Sequence, residues 1–198
     1  MPKIGMQPLR RAALVQAAIA EIGRQGSLDV TVTQIAGRAG VSSALAHHYF
    51  GSKERILTAA MRHILSGLGA EVRTQLALAR TPRGRLSAIV TASFSDHSFQ
   101  HDVIAAWLAF YVSAQTVPET NRLLRVYQQR LRSNLMHDLR PLMEGDPRAL
   151  AETIAALIDG FYIRQALQGA QGSRLEAIAS IEQVIDMALR AHTPRTGS

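Results

Sequence analysis

The chain has no cysteine among its 198 residues, so disulfides, thiolate metal sites and a cysteine nucleophile are excluded. That absence is compatible with a reducing cytoplasm. No segment supplies the run of about 18 apolar residues that a membrane-spanning helix needs. The charged start, MPKIGMQPLRR, is not followed by an apolar stretch of signal-peptide length. The expectation is a soluble, cytoplasmic protein with no membrane partner. Strand-like alternation of useful length is missing, as is any internal repeat, so the fold class expected is all-α. Gly-x-Ser-x-Gly, His-Glu-x-x-His and a phosphate-binding loop are missing too, and the carboxylates are scattered. No catalytic residue and no cofactor is assigned, and the chain is read as not an enzyme.

What is present is positive charge, unevenly placed. The net charge is +7; residues 1–55 hold seven Lys/Arg against three Asp/Glu, and the other 143 hold fifteen against twelve. More than half of the excess therefore lies in about a quarter of the chain, where it suits phosphate neutralisation as well as a plain solvated surface.

That quarter contains TVTQIAGRAGVSSALAHHYFGSK, Thr31 to Lys53. Thr31 and Gln34 form a capping-box pattern ahead of Ile35 and Ala36, which opens one short helix. Gly40 falls where the chain turns sharply and a positive φ costs least, and Val41 supplies an apolar plug. Ser42 then caps a second helix whose first turn is Ser43, Ala44 and Leu45. Ser52 caps the next, with Glu54 in its first turn where the helix dipole favours a negative charge. Before this stretch, Leu14, Val15, Ala18 and Ile22 share one side of a helix from Arg10 to Arg24, which Gly26 ends; Glu21 is assigned elsewhere. Three helices in the order support, positioning, recognition have the layout of a DNA-reading helix-turn-helix.

Onward from Lys53, Ile56 or Leu57, Ala60, Ile64 and Leu68 predict one long helix up to Thr81 and Pro82. Further helices are expected from Pro82 to about Ser95, from about Phe99 to Gln115, and from Pro118 to about Leu139. On the last of these Leu123, Leu124, Tyr127, Leu131 and Leu135 line one side, and Arg122, Arg125, Arg130 and Arg132 form a solvated face. Asp146 and Pro147 open a helix with Leu150, Ile154, Leu157, Ile158 and Phe161 as its stripe. After Gly169 to Gly172, Ser173 and Glu176 make a second capping box ahead of Leu175, Ile178, Ile181, Ile185 and Leu189. These two helices carry apolar surface enough for a two-fold dimer of four packed helices, or for packing inside one subunit. The domains expected are a helix-turn-helix unit over 1–52, a helical bundle over 53–192, and a flexible tail over 193–198.

Three groups of side chains invite a site. His47 and His48 are adjacent helical positions about 100° apart and do not share an ion easily. His97 and His101, with Asp96 and Asp102 near, are spaced at i and i+4 but have no third ligand identified, and no metal is assigned. Eight aromatic residues beyond Tyr49 and Phe50, namely Phe94, Phe99, Trp107, Phe110, Tyr111, Tyr127, Phe161 and Tyr162, all fall in the middle helices. Such rings at helical spacing fill a core or line a pocket, and spacing alone leaves both open.

With Thr33, Ile35, Ala36, Ala39, Gly40, Val41, Ser42, His48, Tyr49, Phe50, Lys53 and Glu54 in these positions, the chain resembles the TetR family of transcriptional repressors. The usual small residue early in the recognition helix is matched by Ala44. Within that family, Pro2 to Pro8 with Arg10 and Arg11, His47 to Phe50 with Ser52 and Lys53, Ala106 to Phe110, and Asn121 to Leu139 resemble the choline-responsive repressors of glycine betaine synthesis genes. The resemblance implies a homodimer, joined through the last two long helices, that binds palindromic double-stranded operator DNA and responds to choline or a related quaternary ammonium effector. It implies DNA-binding roles for Thr31, Thr33, Ser42, Ser43, Ala44, His47, His48, Tyr49 and Lys53. Ser43, Ala44 and His47 would face base edges or groove walls, and Thr33, His48, Tyr49 and Lys53 phosphates. It makes Trp107 and Tyr111 the first choices for an effector cage, with Phe110, Tyr127, Asp159, Phe161 and Tyr162 as further candidates and Asp159 as counter-charge. The alternative within the same fold is a repressor of efflux genes answering to a different lipophilic cation.

Overall fold

The computed structural model describes residues 5–168 and 173–192. The expectations placed on Pro2 to Ile4, on the Gly169 to Gly172 link and on the 193–198 tail lie outside the described residues. Within them the chain forms the helices α1 (Met6–Gln25), α2 (Val32–Arg38), α3 (Ser43–Phe50), α4 (Lys53–Leu78), α5 (Pro82–Ser93), α6 (His101–Ser113), α7 (Pro118–Leu139), α8 (Arg148–Gln168) and α9 (Arg174–His192), with a 3-10 turn at Arg140–Leu142. The fold is all-α, with no strand among the described residues.

Local chemistry explains most boundaries. Thr31 and Gln34 form the capping box in both directions, with Gln34 N–H on Thr31 Oγ1 at 3.1 Å and Thr31 N–H on Gln34 Oε1 at 2.7 Å. Gly40 turns the chain at φ 67°, which an L side chain resists. Ser42 accepts from Leu45 N–H at 3.2 Å, Thr81 from Gly84 N–H at 3.1 Å, and Asp146 from Arg148 N–H at 3.1 Å. Two boundaries differ from expectation. The helix expected from Phe99 starts at His101, because Phe99 is drawn into a cluster of rings with Phe94 and Tyr162. The first helix begins at Met6 rather than Arg10, adding one exposed turn.

By contact the chain makes two compact units, Met1–Ser66 with Gln100–Leu124, and Gly67–Phe99 with Arg125–Ser198. The start of α4, all of α6 and the start of α7 share a unit with α1 to α3. In that first unit α1 packs against α6 and α2, and α2 against α3. Its core includes Leu14, Ala18, Ile22, Ile35, Ala36, Ala46, Phe50, Ile56, Met61, Ile104 and Phe110, all buried. Each large aliphatic member contributes about 1.5–3 kcal/mol by leaving water. α1 and α6 approach so closely at Gly23 that a Cβ there would lie 2.5 Å from the Asp102 Cα.

In the second unit α5 packs against α9 and the 3-10 turn, and α8 against α9. Leu86, Ile89, Val90, Phe94, Leu135, Leu139, Ile154, Ile158, Ile181 and Ile185 form its core. Polar ties cross it: Arg83 donates to Asp186 at 2.6 Å and to Glu182 at 2.5 Å, and Arg85 to the buried Asp138 at 2.7 Å. On α9, Ile181 and Ile185 are buried as expected, but Leu175 is 69% exposed. It stands in the first turn, ahead of Ala177, the first buried residue of that helix.

Candidate nucleic-acid interface and effector helices

Helix α3, expected from the sequence to be the reading helix, turns Ala46 and Phe50 inward and leaves Ala44, His47 and His48 exposed, with Ser43 and Tyr49 partly so. These are successive positions on a short helix, so one inward face dictates the other outward one. Ser43 donates its hydroxyl to Thr33 Oγ1 at 3.3 Å, which ties the start of α3 to α2. His48 and Tyr49 stand ring against ring at 5.5 Å between centroids. Lys53 opens α4 and is partly exposed. Thr31 and Ser42 are exposed as well, but each uses its hydroxyl to cap a helix. Their place at helix N-termini puts backbone N–H groups beside them, the arrangement that favours phosphate.

Two supports of this surface escaped the sequence reading. Arg11 on α1 donates to the Tyr49 carbonyl and lies over the Phe50 ring, 4.3 Å from its centroid, so it holds the C-terminal end of α3 where carbonyls concentrate negative charge. Glu21 is buried rather than outward. It pairs with Arg24 at 2.8 Å and with Arg38 at 2.5 Å, linking α1 to the end of α2. Hydrogen bonds from Arg24 and then Arg38 outweigh its desolvation and hold its carboxyl below the usual value of 4.5. A signal was there: Glu21 stands seven residues after Leu14 and three after Ala18, on the stripe itself. At the next helix start, Glu54 is likewise held below its usual value, chiefly by the Ser52 hydroxyl.

The aromatic candidates divide. Trp107, Phe110 and Tyr111 lie on α6 in the first unit, with Trp107 and Phe110 buried and Tyr111 partly exposed. The Trp107 and Tyr111 rings meet edge to face at 5.5 Å and 75°. In the second unit Phe161 and Tyr162 join Phe94 and Phe99, with centroids 5.5 to 6.2 Å apart, a spacing of rings in direct contact. The Tyr162 hydroxyl donates to the Ser93 carbonyl, and burial pushes its ionisation far up. Tyr127 and Asp159 line a groove of about 390 Å³ between α7 and α8, with Arg125, Arg132 and Glu152. The four arginines expected on the solvated face of α7 are exposed. Among the described residues no three metal-ligating side chains gather, and no helix is long and apolar enough to cross a membrane.

Residues 14–60 match the family model described as bacterial regulatory proteins of the tetR family, and residues 82–190 match the one described as BetI-type transcriptional repressor, C-terminal. This chain belongs to the TetR family, with a BetI-type C-terminal domain. This TetR-family chain is 50% identical over 190 residues to the HTH-type transcriptional regulator BetI of Brucella anthropi, covering 96% of the chain and 98% of that protein. It is 52% identical over 192 residues to the same-named regulator of Agrobacterium fabrum, covering 96% and 93%. Among solved structures, one described as a transcriptional regulator from Pseudomonas aeruginosa PAO1 superposes with a TM-score of 0.80 at 25% identity, over 94% of this chain and 95% of that one. Another, a regulator from Saccharomonospora viridis in complex with choline, superposes at 0.76 with 24% identity, over 89% and 95%. This TetR-family chain is a DNA-binding transcriptional repressor and not an enzyme.

Proposed function

We propose that this repressor controls genes for choline uptake and for oxidation of choline to the osmoprotectant glycine betaine, and that choline bound by the C-terminal domain relieves repression. The observation carrying this reading is the BetI-type match across residues 82–190, together with about half identity to regulators of that name over nearly the whole chain. The choline complex of a regulator with this fold agrees with it. The operator is a palindrome bound in the cytoplasm by a homodimer joined through α8 and α9.

Trp107 and Tyr111 are the first choice for the effector contact, because each aromatic face attracts a quaternary ammonium group by about 0.5–2 kcal/mol. They ride on α6, which packs against α1, the helix that supports the reader. A full switch of occupancy from about 1:99 to 99:1 requires about 5.5 kcal/mol of differential binding. One small cation per subunit therefore lowers operator affinity in part. Operator-bound protein is titrated with choline, glycine betaine and a larger lipophilic cation in a mobility-shift assay. Release by choline is expected, weakened by Trp107→Leu. Release by the lipophilic cation alone replaces the choline reading with efflux control, and no response to any of the three removes the effector assignment while DNA binding stands.

A further inference from the structure

His47 is exposed on α3, and its Nδ1 lies 3.3 Å from the Gly51 carbonyl oxygen. A carbonyl oxygen offers lone pairs only, so this bond exists only when Nδ1 carries the hydrogen. In the neutral ring Nε2 is then a bare acceptor. The arrangement is held by the backbone: Gly51 ends α3 at φ 80°, and its own N–H donates to the His47 carbonyl at 2.7 Å. The neighbours on the same face offer less choice. Ser43 spends its hydroxyl hydrogen on Thr33, and Ala44 presents only a methyl group.

We propose that His47 is a specificity determinant that reads an amino group in the major groove, the N6 amino of adenine or the N4 amino of cytosine, through Nε2. Guanine and thymine present acceptors at O6, N7 and O4 and are rejected by a lone pair facing lone pairs. The proposal rests on the reading of α3 as the recognition helix with His47 toward the bases.

The full-length protein is first used to select palindromic duplexes from random DNA. Single positions are then replaced by purine for adenine or 2-pyrimidinone for cytosine, each lacking only the amino group, and binding is measured at pH 8.5. At one symmetric pair of positions, loss of the amino group weakens the wild-type protein about three- to tenfold, the worth of one hydrogen bond, and leaves His47→Ala unchanged. Which analogue acts tells adenine from cytosine. His47→Gln, whose amide both accepts and donates, admits guanine there as well as the amino-bearing base. Equal losses in wild type and His47→Ala at every position overturn the proposal, as does a nitrogen-15 spectrum showing hydrogen on Nε2 and not on Nδ1. Failure to select any sequence sinks the DNA-reading assignment itself, a distinct outcome.

Discussion

Glu21 shows how one side chain sets the reader's geometry. Its side chain is 7% exposed and joins α1 to Arg38 at the end of α2, so removing its charge leaves two guanidinium groups without their partner. Both arginines keep substantial water, 57% and 41% exposed, which screens the loss. Glu21→Gln should cost about 1–2 kcal/mol, below the range for a fully buried pair. The sign with pH follows from the lowered pKa. The carboxyl favours the folded state above its unfolded value of 4.5, and that contribution is lost as pH falls through the lower folded value. Wild type and Glu21→Gln should therefore differ in urea midpoint at pH 7 and converge as the pH drops below 4.5. A constant difference down to acid unfolding would show that the ion pairs are not what Glu21 supplies.

Among the elements, the contact of α1 with α6 has the least room for change. At Gly23 an added Cβ meets the Asp102 backbone, not the far end of a flexible side chain. Gly23→Ala gains helix propensity yet should lose about 1–3 kcal/mol through overpacking. A thermal melt equal to or above wild type would show that the two helices separate freely. The tie of α9 to α5 is softer: Arg83 is 29% exposed and its partners Glu182 and Asp186 are 22% and 47%. Arg83→Met should cost about 1 kcal/mol and the difference should shrink in high salt, whereas a salt-independent loss would point to packing of the arginine stem.

These elements also show where sequence reading runs out. Helix starts at Thr31, Ser42, Pro82 and Pro118 were legible because a cap or a proline acts within four residues. The pairs Glu21–Arg38 and Arg85–Asp138 were not, since their partners stand 17 and 53 residues apart and meet only in the fold. Periodicity named Phe161 and Tyr162 as one of two things, core or pocket. The neighbours that commit them to a ring cluster, Phe94 and Phe99, come from another part of the chain.

For the whole molecule, the proposed dimer requires surface that one copy leaves uncovered. Ile163 and Leu167 on α8 and Leu175 and Met187 on α9 are 47, 80, 69 and 58% exposed. A single exposed apolar residue is ordinary on any protein, but these two helices, which pack against each other, carry four between them, as a self-association surface would require. A two-fold dimer through α8 and α9 would bury the same residues on both copies, and binding two operator half-sites one turn apart would set its recognition helices about 34–36 Å apart. Leu167→Glu separates the alternatives. If the residue faces only water, the change is worth within about 0.5 kcal/mol and neither mass in solution nor melting temperature moves. If it lies in the interface, the variant should sediment as a folded monomer with unchanged helical content. It should then lose most of its affinity for a palindromic operator, because the second half-site is no longer bound by a tethered partner. A dimer of undiminished stability in Leu167→Glu would place the interface elsewhere than on this part of α8.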